Sequence, residues 1–264
     1  MSDRLNSEIC RIGLYDADIS KVAFHINSPF DYVDAVARTL SFILNRVGYS
    51  KSSQRKYVGE LSFHYDHDSI SRVVIMQGKN KIVSFHIPFD LILLSPGFRF
   101  EIHGIEINTY VLAKLYEISE CLRNQMKSVK KRAVIPTVES ARNELENDED
   151  QAGIEPYIYD IYSHILYSEP CYLRYDWDVT HRKGIKHPEY HIDINFSKRG
   201  TYKYGLYDSL LVEDFERNFD KEEDKMFLHK YHSAVPSLFS PQKIAKKRNA
   251  IGITNRKRKR KHRR

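Results

Sequence analysis

The feature that most limits the fold is a run of short strand-like segments joined by short connections. Residues 58–67, 72–77 and 81–87 are rich in β-branched and aromatic side chains, which are enriched in β-strands. Residues 78–80, Gly-Lys-Asn, supply a turn between the last two segments. Strands joined in this way pair as antiparallel neighbours, whereas strands that alternate with helices form parallel sheets. The sequence therefore predicts an α+β fold with mostly antiparallel sheet and packed helices.

Apolar residues at helical spacing predict the helices that pack on these strands. The segment Phe30–Val47 carries one such stripe. Ser28 and Pro29 precede it and Gly48 follows it, as at natural helix boundaries. The segment Tyr110–Met126 carries a second stripe. Further helices are predicted at 157–167, 210–219 and 222–232, and further strands at 98–107, 172–179 and 190–196.

An acidic stretch at residues 139–150 separates two groups of predicted elements and is typical of a solvated connector. It is the best candidate for a boundary within the chain. The predicted organisation is an N-terminal α+β region (1–132), an acidic connector (133–155), a C-terminal α+β region packed on the first (156–241) and a disordered basic tail (242–264).

Charge is divided unevenly along the chain. The protein has 42 Lys and Arg residues against 35 Asp and Glu residues, a net charge of +7. Residues 243–264 contain 12 of the basic residues and no acidic residue, which leaves 30 basic residues against 35 acidic ones in the rest of the chain, a net charge of −5. We therefore expect nucleic-acid affinity in the tail and not in the acidic body.

The basic tail is predicted to be disordered when free, because its like charges repel one another and it has few large apolar residues. It contains no Phe, Trp or Tyr, so it should bind phosphates without sequence preference rather than stack on bases. In a eukaryote the same run would serve as a nuclear-import signal. The residues expected to contact nucleic acid are Lys246, Lys247, Arg248, Arg256, Lys257, Arg258, Lys259, Arg260, Lys261, Arg263 and Arg264.

One polar face of the C-terminal strands could carry chemistry. Apolar and charged side chains alternate along residues 172–179 and 190–196, so a hairpin of these strands would collect the charged ones on one surface. Histidine together with several carboxylates can hold a divalent metal ion or act as general acid and base. The candidate catalytic residues are Asp176, Asp178, His187, His191 and Asp193, with Arg174 and Glu189 on the same predicted surface.

The same alternation is also the ordinary signature of a sheet with one face in water, so both interpretations stay open. A second polar line has the same character, and a solvated face is favoured there. Its members are Glu60, Ser62, His64, Asp66 and Asp68. The sequence contains no Gly-rich phosphate loop, nucleophile elbow, Cys-x-x-Cys pair or His-Glu-x-x-His motif, which excludes the NTPases, hydrolases and zinc proteases that depend on these motifs.

The expected compartment is the cytoplasm, or the nucleus if the organism is a eukaryote. We find no secretory signal and no apolar run long enough to cross a bilayer. Three scattered cysteines, Cys10, Cys121 and Cys171, suit a reducing compartment. No membrane partner is therefore expected.

The region from Arg174 to Phe219 resembles the C-terminal pattern of an uncharacterised bacterial family, the domain of unknown function 2290. That pattern is an acidic strand, a His-Pro-x-x-His strand and a helix that ends in Asn-Phe, and it corresponds here to residues 174–178, 187–191 and 218–219. The resemblance implies an accessory protein of a bacterial defence or mobile-element system. It marks His187 and His191 as family-typical positions and implies no activity.

Two functions follow as hypotheses. The first is an accessory protein without a cofactor, whose acidic body binds a protein partner and whose tail binds RNA or DNA non-specifically. The alternative is a metal-dependent nuclease or phosphodiesterase that uses the His/Asp face, with a divalent ion to neutralise phosphate oxygens and activate water.

Overall fold

A computed structural model describes residues 8–22, 25–46, 56–65, 71–95, 97–129, 137–146, 154–184, 187–195, 202–217 and 219. The predicted helix at 222–232 and the whole basic tail lie outside these residues. Every described residue belongs to one compact unit.

The described residues form helices and strands in mixed order. In chain order they are β1 (Glu8–Leu14), α1 (Asp16–Val22), α2 (Pro29–Arg46), β2 (Gly59–His64), β3 (Arg72–Gln77), β4 (Lys81–His86), β5 (Asp90–Leu93), β6 (Phe98–Ile102), β7 (Ile105–Glu106), α3 (Thr109–Val129), α4 (Val138–Glu146), α5 (Pro156–Tyr167), β8 (Leu173–Trp177), β9 (Tyr190–Ile194), β10 (Tyr202–Leu206) and α6 (Val212–Arg217). The α+β class with antiparallel pairing is confirmed.

The N-terminal signals that predicted α2 act as expected, whereas Gly48, the predicted stop, lies outside the described residues. Ser28 Oγ accepts a hydrogen bond from the backbone N–H of Asp31 at 3.2 Å and donates one to Asp31 Oδ2 at 2.9 Å. This reciprocal cap satisfies a backbone donor that the first helical turn leaves without a partner. Asn108 caps α3 in a similar way, because its Oδ1 accepts from the backbone N–H of Val111 at 3.0 Å.

The strands form two antiparallel sheets. The large sheet has the order β1-β2-β3-β4-β8-β9-β10, and the small one has the order β5-β6-β7. β4 pairs with β8 from Lys81↔Asp176 to Ser84↔Leu173, so the predicted regions 1–132 and 156–241 share one continuous sheet. Within the predicted connector, α4 buries Ala141 and Leu145 and packs against α3 and α5.

One face of the large sheet carries the main core, and we call it the helical face. Its buried apolar side chains cluster with those of α2, α3 and α5. On β2, β3 and β4 they are Leu61, Phe63, Val73, Ile75, Val83 and Phe85, each fully or almost fully buried. Each such side chain contributes about 1.5–3 kcal/mol to folding through removal of apolar surface from water.

The opposite face of the large sheet is covered by α6, and we call it the α6 face. Phe215 of α6 is buried against Val74, Ile82, Tyr175 and Ile192. These strand residues alternate with those of the helical face, as the two-residue period of a strand requires. Both faces of the sheet centre are therefore buried, which explains the nearly continuous apolar run of β3. No helix within the described ranges has the length and apolar character needed to cross a membrane.

Candidate functional site

The helical face changes from apolar to ionic where β4 meets β8. Val83 lies opposite Arg174, and Arg174 lies opposite Asp193 on β9. Asp176 lies opposite His191 in the same way. The five residues Arg174, Asp176, His191, Asp193 and Lys203 thus share this face on β8, β9 and β10, and we call them the ionic cluster.

Arg174 joins the two carboxylates of the ionic cluster. Its Nε donates to Asp176 Oδ2 at 2.6 Å, and its Nη2 donates to Asp193 Oδ2. Asp193 Oδ1 also lies 2.7 Å from Lys203 Nζ, an ion pair by distance although its angle falls outside hydrogen-bond geometry. Lys81 of β4 lies opposite Asp176 and adds a third cation beside the cluster, so both carboxylates face positive charge.

Burial makes this compensation necessary. His191 is 1% exposed and Asp193 is 3% exposed, so the solvated-face interpretation does not hold for these two residues. Burial alone would raise the pKa of the Asp176 carboxyl, but hydrogen bonds from His191 and Arg174 outweigh it and hold this pKa below its usual range. A buried charge without a partner would cost several kcal/mol, so the cluster stays ionised only because its members are paired.

The orientation of His191 is fixed by the chain before it. Its Nδ1 lies 2.9 Å from the carbonyl oxygen of Pro188. Because a carbonyl oxygen only accepts, Nδ1 carries the proton and donates a hydrogen bond to the Pro188 carbonyl oxygen. Nε2 then faces Asp176 Oδ2 at 3.5 Å. Metal-binding histidines are commonly oriented in this way, with one ring nitrogen on a carbonyl, and an ion bound here would replace the proton that Nε2 donates to Asp176.

Three of the five predicted catalytic residues meet at one point. One ligand atom each from Asp176, His191 and Asp193 lie within 4.8 Å of one another, a spacing that can hold a metal ion. The chemistry of this donor set suits a divalent cation. Arg174 competes for the same carboxylate oxygens, however, so a cation must displace part of its hydrogen bonding.

The other two predicted residues form a neighbouring pair. His187 Nε2 lies 3.1 Å from Asp178 Oδ2. The backbone N–H of His181 donates to Asp178, and with the His181 and His187 side chains it lowers the pKa of this carboxyl to about 2. The rings of His187 and His191 meet edge to face with centroids 4.9 Å apart, so the pair touches the ionic cluster without joining its ion pairs.

Glu189, expected on the same surface, lies apart from the cluster. It accepts hydrogen bonds from Trp177 Nε1 at 3.1 Å and from Arg182 Nη1 at 2.7 Å. Sequence reasoning also missed Lys203, the third-strand member of the cluster. The signal was present, because Lys203 alternates with Tyr202 and Tyr204 as a strand residue would.

The second polar line lies on the α6 face and is partly covered. Ser62 Oγ donates to Glu216 Oε1 at 2.5 Å, and His64 Nε2 lies 3.3 Å from the same oxygen. Burial by itself would raise the pKa of Glu216, but these contacts and nearby Arg11 lower it to about 2. The favoured solvated interpretation is therefore wrong for Ser62, which is buried, while Glu60 and His64 are partly exposed and Asp66 and Asp68 lie outside the described residues.

Nearly all arginines in the described part of the chain already have a carboxylate partner. Among the residues that the structure describes, every arginine except Arg72 has a carboxylate oxygen within 4.0 Å. Arg72 is buried and donates to Ser84 Oγ and to the carbonyl oxygen of Cys171. A phosphate approaching these arginines must compete with an existing carboxylate partner.

Comparison with known proteins adds no relative. No protein-family model, no curated protein and no solved structure matches this chain. The resemblance to the domain of unknown function 2290 family therefore stays a prediction.

Proposed function

We propose that this protein is an accessory nucleic-acid-associated protein. Its tail binds RNA or DNA through phosphates without sequence preference, and its acidic body binds a protein partner. The resemblance noted above supports a place in a bacterial defence or mobile-element system. The proposed location is the cytoplasm, or the nucleus in a eukaryote.

The observation that carries this proposal is the division of charge. Residues 243–264 hold 12 basic and no acidic residues, against a net charge of −5 in the rest. The pairing of the described arginines other than Arg72 with carboxylates supports this division, because these cations already have a partner. Phosphate binding by about six tail residues predicts an affinity that falls about 10³-fold between roughly 50 and 200 mM salt.

The test compares two full-length variants with the same change in net charge. One carries Arg256→Gln, Arg258→Gln and Arg260→Gln in the tail, and the other carries Arg142→Gln, Arg182→Gln and Arg217→Gln in the body. Affinity for a duplex DNA and an RNA of about 30 nucleotides is measured against salt. The tail variant should lower the slope of log affinity against log salt by about 3. Equal losses in both variants would contradict the proposal.

A second candidate is a metal-dependent phosphodiesterase, favoured by the convergence of Asp176, His191 and Asp193. When bound there, a divalent ion would neutralise phosphate oxygens and activate water. In this candidate the chain's own residues hold the ion, and Arg174 and Lys203 contact the substrate phosphate.

Calorimetric titration with Mn²⁺ tests this candidate directly, beside a nuclease assay on the same oligonucleotides. Binding and cleavage should both be lost in Asp176→Asn and retained in Asp214→Asn, which removes an exposed carboxylate on α6. Absence of Mn²⁺ binding at millimolar concentration rejects the candidate and leaves the accessory role.

A further inference from the structure

The two edges of the large sheet differ in how they are protected. At one edge, the register between β1 and β2 shifts between Glu8 and Cys10, an irregularity of the kind that discourages further strand pairing. At the other edge, β10 pairs with β9 in unbroken register from Tyr202↔Ile194 to Leu206↔Tyr190. Within the described part of the chain, no strand pairs with the outer side of β10.

Exposed apolar side chains concentrate at this second edge. Of the eleven large hydrophobic residues exposed in the described ranges, four lie between 202 and 211, and they are Tyr202, Tyr204, Tyr207 and Leu211. Tyr202 and Tyr204 project from the same face of β10, since they are two residues apart in a strand. Clustered exposed aromatics are enriched at protein interfaces and uncommon elsewhere on monomer surfaces.

The lysine that would normally protect this edge strand is held in an ion pair within the sheet. A lysine on an edge strand commonly prevents pairing because it would be buried by an incoming strand. Lys203 is the only charged residue of β10, and its ammonium lies 2.7 Å from Asp193 on β9. Its charge is therefore directed over the sheet and does not block the outer side of β10.

We propose that β10 pairs with β10 of a second copy of this chain, antiparallel about Tyr204. This twofold pairing joins two large sheets into one and is isologous, like most dimer interfaces. In this register Tyr202 faces Leu206 of the copy and Tyr204 faces Tyr204. Lys203 faces Gly205, so no two like charges are opposed.

The sequence of β10 fits this register better than it fits an unrelated strand. Gly205 is required by the chain's own packing, because a Cβ added there would lie 2.7 Å from Pro188 Cγ, and it places no charge opposite Lys203 of the copy. Tyrosine opposite tyrosine and tyrosine opposite leucine are favourable cross-strand pairs. The strand is thus complementary to itself.

The dimer would also strengthen nucleic-acid binding, because each assembly carries two basic tails and the second tail binds at a raised effective concentration. This consequence rests on the proposed function of the tail. The dimer itself is measured without nucleic acid, so the failure of one proposal is distinguishable from the failure of the other.

Sedimentation equilibrium of the full-length protein, freed of nucleic acid, tests the dimer from roughly 1 to 100 µM. The mass should rise with concentration towards twice 31.1 kDa. Tyr204→Lys places two lysines opposite each other and should raise the dissociation constant at least about tenfold. Tyr167→Lys, at a residue 82% exposed on α5, is the matched control and should leave the constant unchanged.

Cross-linking tests the register and does not depend on the fold of the lysine variant. Tyr204→Cys should form an intermolecular disulfide on mild oxidation, because position 204 faces itself, whereas Lys203→Cys should cross-link far less. A monomer at every concentration overturns the proposal, and so does a dimer that Tyr204→Lys leaves intact. If the protein is a monomer and Tyr204→Lys lowers its oligonucleotide affinity, the tyrosines contact nucleic-acid bases instead. That result also overturns the dimer proposal.

Discussion

Two halves of the same sheet face show opposite chemistry. On β2, β3 and β4 the helical face is mostly apolar and packs against helices, with Lys81 at the start of β4, whereas on β8, β9 and β10 it carries the ionic cluster. The apolar half stabilises the fold through burial. The ionic half gains little net stability, because the cost of removing its charges from water offsets most of their attraction.

The ionic half contributes to the choice of strand register more than to stability. Arg174 bonds across β8 and β9, and Lys203 pairs across β10 and β9. A one-residue slip of any of these strands would leave a buried carboxylate without a partner. The cluster therefore specifies strand register at the end of the sheet that leads to the exposed edge, and it is where a ligand would find charged groups.

The largest effect is expected in the apolar half. Phe85 is fully buried and meets Tyr32 edge to face with ring centroids 6.3 Å apart. Phe85→Ala should lower the free energy of unfolding by about 3–5 kcal/mol, since it removes apolar contacts and leaves a cavity. Urea denaturation measures this loss. Tyr167→Ala, at an exposed position, should change stability by less than about 0.5 kcal/mol.

A smaller loss of stability is expected in the ionic half. Arg174→Met leaves the buried Asp193 and the partly buried Asp176 without their shared donor and should cost about 3 kcal/mol at pH 7. Adding Asp193→Asn should recover part of the loss, and a double-mutant cycle by urea denaturation measures this coupling. If Arg174→Met and Asp193→Asn are each as stable as the unmodified protein, the ionic cluster does not depend on pairing of its charges.

The smallest effect concerns the opposite face and depends on pH. The pKa of Glu216 is lowered to about 2, so its ionised form stabilises the fold above its usual pKa of 4.5, and this contribution is lost as the pH falls towards 2. Glu216→Gln should cost about 2 kcal/mol at pH 7, less than the full linkage value because its partner Arg11 is partly exposed.

Urea midpoints at several pH values between 7 and 2.5 check this prediction. The difference between the unmodified protein and Glu216→Gln should be constant above pH 5 and shrink below it. Glu213→Gln, an exposed carboxylate on the same helix, serves as the control. A difference that does not change with pH would show that Glu216 acts through packing and not through its charge.

Much of the fold was predictable because its signals are local. The cap at Ser28, the turn at 78–80 and the alternation in β8 and β9 each depend on neighbouring residues, and all lie in the elements expected. β1, α1, β5 and β10 were missed. β10 contains an interior glycine and only five residues, so its pairing depends on β9 more than on its own propensity.

The candidate site was predictable only in part. Alternation correctly placed Asp176, His191 and Asp193 on one face, since side-chain direction along a strand has a period of two. It included Glu189, which bonds with Trp177 and Arg182 instead, and omitted Lys203. Alternation within a strand does not predict which strand pairs with it, so the position of β10 and its Lys203 beside β9 could not be predicted.

The sequence by itself determined the division of charge, because charges add along a chain whatever its conformation. It also determined which side chains alternate with which, because that follows from backbone geometry. Only the tertiary structure decided that β8 pairs with β4, residues about 90 positions apart, and that the ionic face therefore continues a buried one. Burial is a property of neighbours distant in sequence, and it makes Arg174, Asp193 and Lys203 depend on one another.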